Sequence, residues 1–205
     1  MSTLAIAPPY KELIEREWDR IESPGTWLTG SQRVEVAVQA RAAKADVEVA
    51  AADLSEPAVE AARTISAAAH EIRGPWVASL IDRGMTHLDY VEILGIVARL
   101  TAVDTFLFGV GQPERPLPTA KPGEPSRAIV AGATINKGWA PTVGVAFAPN
   151  ALSAIAAEDE ALHDLHDAFY LSIKQMADIA IVRDLQRDQL ETIAARTSLI
   201  NECFF

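Results

Sequence analysis

The tail Glu191-Thr192-Ile193-Ala194-Ala195-Arg196-Thr197-Ser198-Leu199-Ile200-Asn201-Glu202-Cys203-Phe204-Phe205 holds the residues best suited to chemistry. Cys203 is the one cysteine of the chain. A thiolate attacks peroxide oxygen once its pKa is lowered, and a neighbouring thiol must capture the product before over-oxidation. Cys203 by itself can be oxidised but cannot complete an internal dithiol cycle. Glu191, taken alone, reads as a solvated acid in the first turn of a helix. Its spacing to Cys203 is what singles it out. On one straight helix the twelve-residue separation spans about 18 Å, so the two groups meet only across a break. Asn201, which tolerates left-handed backbone, is the candidate for that break. Cys203 would then open a following helix, whose dipole favours the thiolate.

Other candidates are weaker. Glu160, His163 and His166 recur every three residues, with Asp164 and Asp167 between them. Di-iron sites on helices use Glu-x-x-His spacing, but they need a second carboxylate/His helix, and the sequence offers none. The pattern therefore reads as an Asp/His-rich helix surface. His70 and His87 have no partner pattern and read as surface or capping residues. The sequence carries no Gly-rich phosphate loop, Ser/His/Asp arrangement or zinc spacing.

The elements that must position the tail are helical. Leu13, Ile14, Trp18 and Ile21 share one face of a helix over 10–21, and Ser23-Pro24-Gly25 breaks it. Thr29 or Ser31 caps a second helix that runs to about Lys44. A third starts at Glu56-Pro57 and continues to about Ile72. Gly74-Pro75 opens a short helix that Gly84 closes. Thr86 caps the longest helix, with Asp89 at its third position and Val91, Leu94, Val97, Leu100 and Phe108 as core. From 111 to 149 Pro and Gly recur, so the segment is a linker or an ordered crossing loop, and Trp139 and Phe147 favour a partly packed loop. Helix resumes near Pro149, a helical segment covers about 172–183, and a last helix starts near Arg187. Leu190, Ile193, Ala194, Thr197 and Ile200 form the expected buried stripe of that last helix. A faint internal echo links residues 33–38 to 189–194, and the first copy has no thiol at the matching position.

Composition bounds the rest. The chain has 205 residues, 49% of them hydrophobic, a mean hydropathy of +0.11 and a net charge of -10. That is a globular composition, all-α in character, with Ala abundant between 37 and 69. The acidity disfavours nucleic acid and anionic membrane surfaces. The most apolar long stretch contains Glu92, Arg99 and Asp104, which makes a spanning helix improbable. With no signal peptide and one Cys, the expected compartment is the cytoplasm.

The tail resembles the alkylhydroperoxidase AhpD-like family of the carboxymuconolactone decarboxylase superfamily. That family carries a Glu, eleven intervening residues, then Cys-x-x-Cys and a His a few residues on. Glu191 and Cys203 stand at the first two motif positions, and 195–198 with Asn201 fit the helix preceding the first Cys. Residues 86–111 look like the second helical unit of a family repeat. Residues 163–170 look like the helix that precedes the redox segment in two-repeat members. The resemblance implies an all-α AhpD-like bundle of two degenerate repeats. Residues 1–111 would be a helical unit lacking a redox Cys, 112–148 a Pro/Gly-rich connection, and 149–205 the start of a second unit. It implies a homo-oligomer, trimer or hexamer. It also implies a thiol-dependent peroxidase, with a hydroperoxide and a thiol reductant as partners and no metal or organic cofactor. In such an enzyme the second motif residue attacks the peroxide, Cys203 resolves, and Glu191 relays protons.

The sequence departs from that pattern at its end. The second motif Cys would follow Phe205 directly, with the His beyond it. The expectation is a truncated motif, incomplete or inactive as it stands, and the sharper form is a UGA codon for selenocysteine at the next position. Two alternatives are a non-catalytic structural or interaction subunit of the same fold and, ranked last, a carboxymuconolactone decarboxylase-like enzyme working by acid/base residues.

Overall fold

The computed structural model describes residues 4–182 and 184–201. They are mostly helical: α1 Pro8–Glu22, α2 Gly30–Lys44, α3 Glu56–Ala67, α4 Gly74–Asp82, α5 His87–Gly109, α6 Ala156–Phe169, α7 Ile173–Met176 and α8 Arg187–Ile200. The strands among the described residues are two residues each, β1 Ala133–Thr134 and β2 Thr142–Val143. They pair antiparallel with Ala133 opposite Val143. No helix among the described residues is long and apolar enough to cross a membrane. The chain forms two compact units, one extending to Leu165 and one beginning at His166.

The helix ends of the first unit follow from local chemistry. Thr29 and Thr86 each accept a hydrogen bond from the backbone N–H three residues on, and Gln32 and Asp89 reach back to the capping residues' own N–H groups. These reciprocal bonds satisfy donors that a helix start leaves unpaired. Gly84 takes φ +100° after α4, a conformation that only Gly adopts without penalty. The third helix stops at Ala67, short of the expected Ile72, because a 3₁₀ turn at Ala69–Glu71 intervenes.

Small residues let α2 and α3 pack closely. Val36, Ala37 and Ala40 on α2 are buried, as are Ala58, Ala61, Ala62 and Ile65 on α3. The central helix α5 buries Val91, Ile93, Ile96, Val97, Leu100 and Val103. Its expected core residue Phe108 is 74% exposed instead: the last turn buries the adjacent Leu107, and Phe108 lies off that buried face. Val91, Leu152 and Ile155 form a further apolar cluster with Trp27 and Leu88 against it.

The Pro-rich segment lies within the first unit as an ordered crossing loop. Trp18 Nε1 donates to Pro116 O at 2.7 Å, and the N–H groups of Lys121, Ser126 and Arg127 donate to the carbonyls of Glu22, Gly25 and Thr26. Its tether is therefore backbone pairing to the end of α1. Of the aromatics expected from sequence to pack the loop, Trp139 is half-exposed with its indole against Gly74, whereas Phe147 is largely exposed.

In the second unit four of the described residues in the segment 172–183 form helix, with Ser172 Oγ accepting from Gln175 N as the cap. The last helix has no fully buried residue. Arg187, Leu190, Ala194 and Ser198 are half-buried, whereas Ile193 and Ile200 of the expected stripe are exposed. Replacing Thr86 by Ala is expected to lower unfolding free energy by about 1 kcal/mol, measured by urea denaturation, because α5 loses its reciprocal cap.

Candidate functional site

Two arrangements of polar groups stand out, one in each unit. The first is a chain of alternating charges in the interior. Glu17 on α1, Arg33 on α2, Glu92 and Arg99 on α5 and Glu158 on α6 are each at most 2% exposed. Arg33 Nη1 donates to Glu92 Oε1 and, at 2.9 Å, to Glu158 Oε1. Arg99 donates to Glu158 Oε2 at 2.5 Å and to Glu17 Oε2 at 2.8 Å. Arg20, closer to the surface, bonds Glu17 and Asp164, each at 2.5 Å. The order is Glu92, Arg33, Glu158, Arg99, Glu17, Arg20, Asp164, so each interior charge lies beside opposite ones.

Two glycines make room for this chain. A Cβ on Gly25 would collide with Glu92 Oε1 and Arg33 Nη1, and one on Gly95 would collide with Glu158 Oε2. The backbone closes over the Arg33–Glu92 pair, and Trp27 N donates to Glu92 Oε2 at 2.6 Å. A cavity of about 330 Å³ adjoins the network, lined by Asp19, Arg20, Gly25, Arg33, Glu158 and Glu160 among others.

Burial and pairing pull the network's carboxyls in opposite directions. For Glu92, desolvation outweighs the Arg33 guanidinium and raises its pKa above the usual carboxylate range. For Glu158, desolvation also acts upward, but Arg99 and Arg33 together overcome it and hold the group below that range. Glu158 is thus the carboxylate on which the network depends, and Glu92 sits at its weaker end.

The second arrangement surrounds Glu191 in the second unit. Tyr170 Oη donates to Glu191 Oε1 at 2.9 Å, and Arg187 Nη2 lies 2.7 Å from the same oxygen. Arg187 also donates to the carbonyls of Gln175 and Met176, tying α8 to α7. Tyr170 follows α6, its N–H donating to His166 O at 2.8 Å. The His166 ring stands edge-on to the Tyr170 ring, with centroids 5.5 Å apart. Burial, and then the hydrogen bond to Glu191, raise the Tyr170 pKa. A phenol and a guanidinium therefore converge on the Glu191 carboxylate, and the His166 imidazole packs behind the phenol. Such a set can hold a carboxylate in place and pass protons.

Of the residues singled out by sequence, Glu191 lies in this cluster, while Cys203 lies outside the described residues. Helix α8 ends at Ile200, beside Asn201, and the helix expected to open at Cys203 lies outside the described residues. The expected left-handed turn does not occur: Asn201 has φ -86° and ψ 7°. Among the described residues no group of His, Cys, Asp and Glu is arranged to hold a metal ion. His163 Nε2 lies 3.1 Å from Pro149 O, and Glu160 is exposed. Sequence reasoning gave Tyr170 and Arg187 no role of their own, and weighed His166 only in the Glu160/His163/His166 pattern on the helix surface. The Arg187–Glu191 spacing of four is a helical ion-pair signature and was available there. The Tyr170 contact bridges 21 positions and had no local signal. No family model, curated protein or solved structure matches the chain.

Two outcomes test the interior network. Glu158→Gln is expected to cost about 3–5 kcal/mol near neutral pH, because two buried guanidiniums each lose one of their two carboxylates. Glu92→Gln should cost less, because desolvation of its charge outweighs what the Arg33 pairing returns, and Arg33 keeps Glu158 as a partner. A carboxyl with a lowered folded pKa stabilises the fold above its unfolded pKa and loses that contribution as pH falls through the folded value. The gap between the two variants should therefore shrink as pH drops below the carboxylate range, as read by denaturant melts across pH. Gly95→Ala should destabilise by about 1–3 kcal/mol through overpacking against Glu158, although Ala favours helix by about 1 kcal/mol.

Proposed function

We propose that the chain is a thiol-dependent peroxidase-like protein of the AhpD-like kind, built from degenerate AhpD-like helical units. The observation that carries this reading is Glu191, held by Tyr170 and Arg187 on α8, at motif spacing from Cys203. With a cysteine supplied directly after Phe205, its thiolate would be the attacking group of the family motif. It takes the terminal oxygen of a hydroperoxide: a chalcogen–oxygen bond forms, the O–O bond breaks, and the leaving alkoxide takes a proton relayed through Glu191. The Cys203 sulfur then displaces water from the oxidised chalcogen and forms the internal bridge. A dithiol reductant, or two thiols, returns both electrons and protons and is released as its disulfide. One Cys among the 205 residues suits a reducing compartment such as the cytoplasm.

A homo-oligomer, trimer or hexamer, fits the same reading. Leu199 and Ile200 on α8 are 78% and 70% exposed, and Ile129 of the crossing loop is 80% exposed, so apolar surface is available for burial between copies. A second reading, a non-catalytic structural subunit, is favoured by the interior network. Its buried carboxylates are all engaged by guanidiniums, which makes that site a scaffold and not an acid/base centre.

The test is hydroperoxide consumption coupled to a dithiol reductant, using the chain with a cysteine appended directly after Phe205. Turnover that falls at least about 100-fold in Cys203→Ser and in Glu191→Gln is expected, a loss typical of removing a proton-transfer group. Equal rates in wild type and Cys203→Ser would remove the peroxidase reading. No turnover in a folded, assembled chain would favour the scaffold.

A further inference from the structure

Between 121 and 129 every residue of the crossing loop except Pro125 is exposed. This strap therefore has little apolar burial of its own, and polar contacts hold it to the turn that follows α1. The N–H groups of Lys121, Ser126 and Arg127 donate to the carbonyls of Glu22, Gly25 and Thr26. Lys121 Nζ lies 2.5 Å from Glu22 Oε1, and the Arg127 guanidinium sits 5.1 Å from the centre of the Trp27 ring. The two segments also fit closely. A Cβ on Gly30 would meet Glu22 O and Lys121 O, each at 2.5 Å, and one on Gly123, at φ +146°, would meet Pro24 Cγ at 2.8 Å.

The inner side of the same turn covers charge. Gly25 lies against Glu92 Oε1 and Arg33 Nη1, and Trp27 N donates to Glu92 Oε2. Ser23, Pro24 and Gly25 also wall the cavity of about 330 Å³ that reaches Arg33 and Glu158. Strap, turn and ion pair therefore follow one another inward from solvent. Opening an apolar interface, such as that of α2 and α3 around Ala37, Ala61 and Ala62, exposes hydrocarbon to water and is opposed. Lifting the strap and turn exposes mainly backbone and ions, and returns to Arg33 and Glu92 the hydration that burial removed. That return is large at Glu92, where desolvation outweighs the pairing with Arg33. Regions with few buried apolar contacts open locally at free energies well below that of global unfolding.

We propose that the strap 121–127 and the turn 22–27 form a lid that opens as one unit while the helices stay packed, letting water from the adjoining cavity reach the Arg33–Glu92 end of the buried row. The Arg99–Glu17 end stays closed, because those side chains do not line the cavity and neither touches the turn. The lid is independent of the peroxidase reading.

Native-state hydrogen exchange on the full chain, followed by NMR, tests this. The amides of Trp27, Lys121, Ser126 and Arg127 should share one opening event and be protected at least about 100-fold less than those of Ile96 and Leu100 in α5. Gly123→Ala presses a methyl against Pro24 and should speed exchange of the lid amides together by about 10-fold, with Ile96 and Leu100 unchanged. The guanidinium protons report the row itself. Exchange at Arg33 Nε, which donates to Arg20 O, should quicken with the lid in Gly123→Ala, and exchange at Arg99 Nε, which donates to Glu17, should not. Protection of Trp27 equal to that of Ile96 would overturn the lid, since the turn would then open only with the whole unit. Faster strap amides in Gly123→Ala beside an unmoved Trp27 would also overturn it, since the strap would fray alone. Equal quickening at Arg33 and Arg99 would overturn the one-ended opening. Should Gly123→Ala not fold, the wild-type ranking of Trp27 against Ile96, and of Arg33 Nε against Arg99 Nε, decides alone.

Discussion

The first unit depends on a row of buried charges that alternate in sign. Glu92, Arg33, Glu158, Arg99 and Glu17 come from α1, α2, α5 and α6, and they leave water only because each finds an opposite charge. Desolvating one such ion costs several kcal/mol, so the row is tolerable whole and costly in part. A register shift in any of the four helices would strand a charge in hydrocarbon. An apolar interface of the same area would tolerate such a slip more readily. The row therefore specifies how these helices meet, beyond any stability it adds.

The surrounding backbone is shaped to that row. Gly25 and Gly95 lie where a Cβ would strike its carboxylates, and the carbonyls at the end of α1 also receive the crossing loop. One short region thus ends a helix, covers the Arg33–Glu92 pair and anchors the Pro-rich segment. The second unit is built differently. Leu171 is its one fully buried residue among those described, and its order comes from caps, carbonyl bonds to Arg187 and the Tyr170–Glu191 contact. Rigidity in the first unit comes from a packed core, whereas in the second it comes from a few polar tethers around Glu191.

Several features were legible in the sequence. Thr29 and Thr86 announce their helices because a cap acts within three residues. Ser23-Pro24-Gly25 ends α1, Gly84 ends α4, and the Pro run excludes helix between α5 and α6. Glu92 and Arg99 were visible as charges in an apolar stretch, but only as arguments against a membrane span. The same two residues are the centre of the interior network. Ile193 and Ile200 were expected inside and lie outside, because helical periodicity marks a face without saying whether anything covers it.

The sequence by itself determined the helical class, most helix boundaries and the Glu191–Cys203 spacing, since these depend on neighbours a few residues apart. Tertiary structure alone decided which charges meet. Arg33 pairs across 59 and 125 positions, Arg99 across 59 and 82, and Tyr170 finds Glu191 across 21. Over such separations backbone propensity carries no information. Which side chains share one buried volume is set by how whole helices pack, and by the cost of leaving any of those charges without a partner.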